Sequence, residues 1–484
     1  MSSKFSHLEP REIWQHFEAL NAIPRASKRE EQIIAFMLQF GAELHLDTQR
    51  DSIGNVLIRK PASSGYENRP IVVLQAHLDM VHQQDDATGF DFENEGIAMI
   101  LDGDWIRAKG TTLGADNGLG VAAIMAVLAS KTIAHPAIEA LFTVDEETGM
   151  SGAKALSPDW LKGSVLLNLD TEEDDELGVG CAGGIDVTAI GSYIPESLAL
   201  GSEGLRVHVG GLKGGHSGMD IHLGLANANK LLARLLYSCS QHVDFSVGSF
   251  SGGNLRNAIP REAVAVLGID PRHKMKFIAQ LEATRSVICE EFAAVDPDIT
   301  VQVTACTAPE EVFPLCAQEK LIQCLYSVPS GVAYMSAAYP GQTETSNNLA
   351  VVRAFDGEIR IGCLTRSSRT SRKLDLVAGL TAVFALAGYS TQTSGDYPGW
   401  QPNAQSGILA LVRSRYLSLF GSSPRVLAGH GGLECGIIGS HYPNLDMISI
   451  GPTILGAHSP EERASIPSTQ KFWKLLLDIL ENIE

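Results

Sequence analysis

Nowhere in the 484-residue chain do enough apolar residues run together for a membrane-crossing helix, which needs roughly 18 or more. The best candidate, over 376–388, is short and contains Thr381, so no membrane partner is expected. The first twenty residues carry charges and no apolar stretch followed by small residues, and no secretory leader is expected from them. Cysteine occurs at eight positions but never as a C-x-x-C pair. Thiols scattered through a chain of this length read as reduced and mostly buried, which excludes a thiolate zinc site and implies a cytoplasmic protein. Positive charge is the scarcer sign. Lys+Arg 37 against Asp+Glu 56 gives a formal charge of −19, which makes nucleic acid and anionic lipid poor partners. No fixed-period repeat and no low-complexity tract occurs, so neither a repeat array nor a disordered chain is expected.

What the chain does contain is enough apolar material, 44% of residues, to bury a large core. Its length suggests about three domain-sized units or two large ones. Two helical runs open the sequence, over 10–20 and 28–40. Short β-branched runs follow over 71–74, 138–144 and 165–169, suited to strands buried on both faces. The stretches 97–101 and 105–108 flank Asp102, Gly103 and Asp104, a hairpin signal. An apolar helix is expected over 117–130, with Asp116 and Asn117 as its capping residues. Strands alternating with helices predict a mostly parallel α/β sheet flanked by helices. From about residue 187 the texture turns to α+β for some two hundred residues, ending at a Gly/Pro/Trp-rich joint over 394–400. The α/β texture then resumes.

In open parallel sheets ligands bind beyond the carboxyl ends of the strands, and here each of those ends runs into an acid or a histidine. IVVLQA leads to His77 and Asp79, IEALFTV to Asp145, Glu146 and Glu147, VLLNL to Asp170, and MISIG through a loop to His458. Asp116 sits where a turn enters a helix. Carboxylates crowded in this way repel unless protonated or neutralised by cations. Two divalent metals are the simplest solution, and imidazole with carboxylate suits zinc, with manganese or cobalt able to use the same ligands. At one strand end His77 offers a ligand and Asp79 a carboxylate to fix its tautomer. Of the adjacent Glu146 and Glu147, one can bind metal while the other stays free as a general base. Taken singly these signals are weak, since Asp116 could cap a helix, Asp170 open a turn and His458 lie on the surface. Their conjunction at one sheet edge carries the reading.

Seven segments, LQAHLDMVHQ (74–83), GTTLGADNGLGVA (110–122), FTVDEETGMSGA (142–153), LLNLDTEE (166–173), GGHSGMDI (214–221), HGGLECGIIGS (430–440) and GPTILGAHSPEER (451–463), resemble the di-zinc exopeptidases related to aminoacylases and glutamate carboxypeptidase, and within them the histidine-dipeptidase branch. The resemblance spans essentially the whole chain. It implies two zinc ions per chain, one held by His77 and Asp170, the other by Glu147 and His458, with Asp116 bridging. It also implies that Asp79 orients His77 and that Glu146 is the general base and acid in hydrolysis of dipeptides, preferentially Xaa-His such as carnosine. A discontinuous catalytic domain over 1–186 and 394–484 would be split by a lid and dimerisation domain over 187–393, in a homodimer.

For the lid the resemblance suggests His216 as the oxyanion donor and Asn257 as a substrate contact. Arginine suits a free substrate carboxylate because its planar fork binds bidentately. Arg366 and Arg369 both follow a lid strand, with Arg366 favoured by its position just after it. The glycines of the 430–436 segment permit either close backbone approach to a ligand or a helix-entry turn. Two alternatives stand beside this reading: an aminoacylase or a dipeptidase of other specificity on the same metal centre, and a non-enzymatic metal-dependent binding protein.

Overall fold

Six consecutive residues, Val72–His77, are buried along their whole length, as are those of Ile138–Thr143. Strands covered on both faces need no polar alternation, and these two form the middle of an eight-stranded sheet. Its order is Asp47–Arg50, Val56–Lys60, Ile138–Thr143, Val72–His77, Val165–Asn168, Asp446–Ser449, Glu176–Cys181 and Arg425–Gly429. The four strands from Ile138–Thr143 to Asp446–Ser449 are mutually parallel. On one side Asp47–Arg50 and Val56–Lys60 are antiparallel, and on the other Glu176–Cys181 is antiparallel to its neighbour. The expected parallel sheet is thus the centre of a mixed one. The few residues between Arg50 and Val56 can close a hairpin but cannot make a crossover.

The computed structural model describes residue 5 and residues 7–484. The chain forms two compact units: Met1–Gly180 with Pro402–Leu427 and Leu433–Glu484, and Cys181–Gln401 with Ala428–Gly432. In the first unit, helices Arg11–Asn21, Glu31–Glu43, Ala115–Ala129, Gly407–Phe420 and Ile466–Asn482 contribute to one apolar core with the sheet. Helix Ala115–Ala129 is buried nearly all round, as an all-apolar helix must be. The hairpin Met99–Asp102 and Trp105–Ala108 forms around Gly103, which takes a left-handed φ of 61°.

One local expectation is corrected. Asp116 and Asn117 interrupt the helical backbone, which resumes after them, but neither side chain caps the stretch that follows: Asn117 Oδ1 has no hydrogen-bond partner and the two oxygens of Asp116 face imidazoles. Asn117 instead donates to the carbonyl of Leu169 at 2.7 Å and to Asp170. Both side chains serve the strand ends rather than the helix.

The second unit is built on an antiparallel sheet in the order Thr300–Cys306, Glu203–Gly210, Ala263–Ile269, Ser246–Gly252, Thr343–Phe355, Glu358–Ser367, Gly183–Ser192 and Ser390–Tyr397, with Gly331–Met335 added on Thr343–Phe355. Helices Ala228–Ser240, Pro271–Phe292, Leu315–Ser327 and Thr370–Leu386 share its core. The stretch read as a joint from residue 394 is in part strand: Ser390–Tyr397 pairs with Gly183–Ser192 through Ser394 and Tyr397. Among the described residues no helix is long and apolar enough to cross a membrane.

Candidate metal centre

Because the central strands are parallel, their last residues fall level with one another. His77 lies opposite Thr143, and Gln75 opposite Asn168. The residues just beyond, Asp79, Glu146, Glu147 and Asp170, therefore leave the sheet at one edge. Asp116 and His458 reach the same place from the start of a helix and from a loop in which His458 has a φ of 64°.

His77 is buried, and its Nδ1 lies 3.0 Å from the backbone oxygen of Asp79. A carbonyl can only accept, so Nδ1 carries the proton and Nε2 is the nitrogen that faces the acids. Nε2 lies 3.2 Å from Asp116 Oδ1 and 3.4 Å from Asp170 Oδ1. On the other side, His458 Nε2 lies 3.1 Å from Asp116 Oδ2 and 2.9 Å from Glu147 Oε2. The two oxygens of Asp116 thus each meet a different imidazole. Ligand atoms of His77, Asp116 and Asp170 lie within 4.8 Å of one another, as do those of Asp116, Glu147 and His458, and those of His77, Glu146 and Glu147. Glu147 Oε1 is buried with no hydrogen-bond partner. This donor set fits two divalent cations: two imidazoles, a shared carboxylate, two further carboxylates and no thiolate.

Asp79, expected to orient His77, does so first through its backbone oxygen, its carboxylate standing 3.5 Å from Nδ1. That carboxylate also accepts from the backbone N–H of Glu146 at 3.0 Å and of Glu147 at 3.2 Å, and from Ser27 Oγ at 2.8 Å. It ties the two halves of the centre together.

Electrostatics in the metal-free protein follow from crowding. Burial opposes a charge on His77, but Asp170 and hydrogen bonds with Asp116, Asp170 and Asp79 outweigh it and raise its pKa well above the usual value. Hydrogen bonds to Asp116 and Glu147 push His458 up to about 11. Burial raises Asp170 to about 6, against the pull of His77, and raises Glu172 to about 8. Burial, with the charges of Asp170, Glu434 and Glu147, lifts Glu146 well above the carboxylate range despite His77. Burial works the same way on Asp116, but hydrogen bonds from His458 and His77 prevail and hold it low.

Three supporting residues were missed from sequence. Glu462, buried, accepts from the backbone N–H groups of Leu113, Gly114, Ala115 and Asp116 at 2.7, 2.9, 2.7 and 3.3 Å. It pins the loop that delivers Asp116. Arg25, also buried, donates to the carbonyls of Leu78 and Gly114 and to Asn21 Oδ1. The φ at Gly114 is +70°, a left-handed conformation that glycine takes without strain. Glu434 lies beneath the centre. Glu462 is in the same segment as His458, but nothing in its spacing announced four backbone donors.

The remaining predicted residues lie in the second unit. His216 and Asn257 come together because Gly215–His216 pairs with Ala258–Ile259, and Ser217 N donates to the Asn257 carbonyl at 2.7 Å. His216 Nδ1 accepts from the backbone N–H of Gly218 and Met219 at 3.2 and 3.1 Å, which puts the ring proton on Nε2. Arg366 is 5% exposed, donates to the Tyr397 hydroxyl at 3.0 Å, and has a buried Nε with no partner. Arg369 is already matched: its Nε lies 3.0 Å from Glu344 Oε2, while Arg372 holds the other oxygen of Glu344 at 3.1 Å.

The model of the peptidase family M20/M25/M40 matches residues 73–482. The chain belongs to this family. It is 42% identical over 482 residues, 99% of either chain, to the cytosol non-specific dipeptidase of Escherichia coli strain K12. The crystal structure of aminoacylhistidine dipeptidase from Vibrio alginolyticus superposes with a TM-score of 0.93 at 41% identity, covering 100% of this chain and 99% of that one. The aminopeptidase PepT of Bacillus cereus, 16% identical with a TM-score of 0.58 over 98% and 99% of the two chains, shares the fold.

Proposed function

We propose that this protein is a metal-dependent dipeptidase whose centre takes two zinc ions. His77 and Asp170 would hold one, Glu147 and His458 the other, and Asp116 would be shared between them. One observation carries the proposal: a single carboxylate offers its two oxygens to two different imidazoles, at 3.2 and 3.1 Å. Manganese or cobalt fits the same ligands. The full-length relatives named as dipeptidases support the reaction class.

When bound, the cations supply Lewis acidity that polarises the scissile carbonyl and brings the pKa of water towards neutrality. The chain's own groups do the rest. Asp79 locks the His77 tautomer, so that Nε2 is the ligand nitrogen. The Glu146 backbone is tied to Asp79, and its carboxylate is assigned to take a proton from the attacking water and hand it to the leaving amine. His216, protonated on Nε2, is assigned as the donor to the developing oxyanion. Arg366, with an unused buried donor, is assigned to the substrate's terminal carboxylate and Asn257 to its backbone. Arg369, paired with Glu344, is assigned to holding Glu344.

An Xaa-His preference, carnosine being the model substrate, is the specificity we favour. The E. coli relative is named non-specific and the Vibrio one for histidine dipeptides, so the second position has to be assayed. Purified protein is given carnosine, other dipeptides and N-acetyl amino acids, before and after chelation and zinc return. A dipeptidase cleaves the dipeptides only with metal restored. Cleavage of N-acetyl amino acids alone would make it an aminoacylase. A cytoplasmic location agrees with the name of the E. coli relative. A homodimer is supported by the strand Gly331–Met335, which exposes Val332, Tyr334 and Met335.

A further inference from the structure

Beneath the proposed metal ligands lies a layer of polar side chains that hydrolysis does not use. Side chains two apart on a strand share a face, so Gln75 stands directly below His77, and Asn168 precedes Asp170 by the same interval. Thr143 faces His77 across the sheet. Gln75, Thr143, Asn168 and Ser449 are each no more than 1% exposed, and so is Glu434. Asn168 Nδ2 donates to Gln75 Oε1 at 2.6 Å, and Gln75 Nε2 donates to Glu434 Oε2 at 2.7 Å. The Thr143 hydroxyl donates to the same oxygen, and the Ser449 hydroxyl to Asn168 Oδ1. This chain joins the ends of four strands, with one acid as its terminal acceptor.

Its two amides lie under one side of the centre: Gln75 and Asn168 underlie His77 and Asp170, the ligands assigned to one ion. Thr143 and Ser449 end the strands that run on to Glu147 and His458, but Glu147 lies beyond a turn whose backbone is held by Asp79, and His458 stands in a loop well past its strand. The second oxygen of Glu434, Oε1, is buried without a hydrogen-bond partner. A buried acid in that state is costly, and the field of cations in the adjoining centre would relieve it.

We propose that Glu434 is a positioning residue for one half of the metal centre, anchoring through Gln75 and Asn168 the strand ends that present His77 and Asp170. This rests on the two-metal reading above. Groups that orient ligands in this way carry roughly 10–100-fold in metal affinity.

The test is zinc titration of the chelator-stripped full-length protein against a competing chelator, resolving two dissociation constants, with circular dichroism and thermal melts of each metal-free variant. Glu434→Ala and Gln75→Leu are each expected to weaken one ion by roughly 10–100-fold and leave the other at its native value. Glu434→Gln keeps an acceptor for Gln75 and Thr143 and is expected to restore most of the loss. A general structural defect would weaken both ions together. The proposal is overturned if folded Glu434→Ala binds both ions as the native protein does, or loses both equally. If that variant does not fold, Gln75→Leu decides by the same criteria. A native protein that binds fewer than two zinc ions overturns the two-metal reading itself, whereas native binding of two ions with unaltered variants overturns only the role of Glu434.

Discussion

Replacing Glu146 by glutamine separates the proposed chemistry from the proposed metal binding. The substitution keeps the side chain's size and leaves its backbone N–H on Asp79 Oδ1, so the acidic turn has no reason to move. It removes the one property asked of Glu146, the ability to accept and return a proton. General acid–base groups contribute typically ~10²–10⁴-fold, so kcat is expected to fall by that factor, or about 3–5 kcal/mol in barrier height. Burial and neighbouring acids lift the Glu146 pKa in the metal-free protein, so a neutral amide costs little folding stability and Tm changes little. Zinc content stays at the native value, because the ligands assigned to the ions are untouched. Steady-state kinetics on a dipeptide and elemental analysis of the same preparation provide the two readouts. Retained turnover with retained zinc would refute the role of Glu146. Lost zinc would make Glu146 a ligand, which its proximity to His77 and Glu147 permits geometrically. A protein that merely bound its ligand would show no turnover to lose, and its affinity would be unchanged.

The two arginines should part company in kinetics. Arg366→Ala is expected to lower kcat/KM by about 2–5 kcal/mol, as for loss of one partner of a desolvated charge pair. Arg369→Ala should cost less than about 1 kcal/mol, since Arg372 still holds Glu344; equal losses would contradict the assignment. Between about pH 6.5 and 8 the stability of the metal-free protein should fall as pH rises. Glu434 and Glu172, raised to about 8, and His458, raised to about 11, bind protons more tightly folded than unfolded, so the unfolded state gives them up first. His16 and His430, lowered to about 4 and about 3 by burial, act in the opposite sense, mainly below their ordinary pKa of about 6.5 and fading above it. Thermal melts across that interval should show a declining Tm, with a shallower slope once zinc replaces the protons; a Tm that rises without metal would contradict the electrostatics.

The residues legible in the sequence are those whose position follows from local rules. His77, Glu146, Glu147 and Asp170 sit just past apolar runs whose length and β-branching already mark strands, and parallel strands bring such ends level. In the structure His77, Asp116, Asp170, Glu147 and His458 are linked by contacts of 2.9–3.4 Å, and the Glu146 carboxylate lies within 4.8 Å of His77 and Glu147. Asp116 and Asn117 were misread as helix caps because that propensity is local, whereas Asn117 answers to Leu169 and Asp170 some fifty residues away. Glu462 and Arg25 stayed invisible because most of their partners are backbone groups of distant loops, which no side-chain pattern announces. The antiparallel margin of the sheet depended on loop lengths, which apolar periodicity does not report. Position relative to the lid strand favoured Arg366 over Arg369 in the sequence, although Arg366 lies within the strand Glu358–Ser367; that Arg369 is taken up by Glu344 is a tertiary fact no local pattern gives.

Anomalous scattering at the zinc edge, from crystals of the zinc-loaded protein, tests the central claim most directly. Two peaks about 3.5–4 Å apart are predicted, one beside His77 and Asp170, the other beside Glu147 and His458, with Asp116 between them. A single peak, or zinc bound away from Asp116, would contradict it.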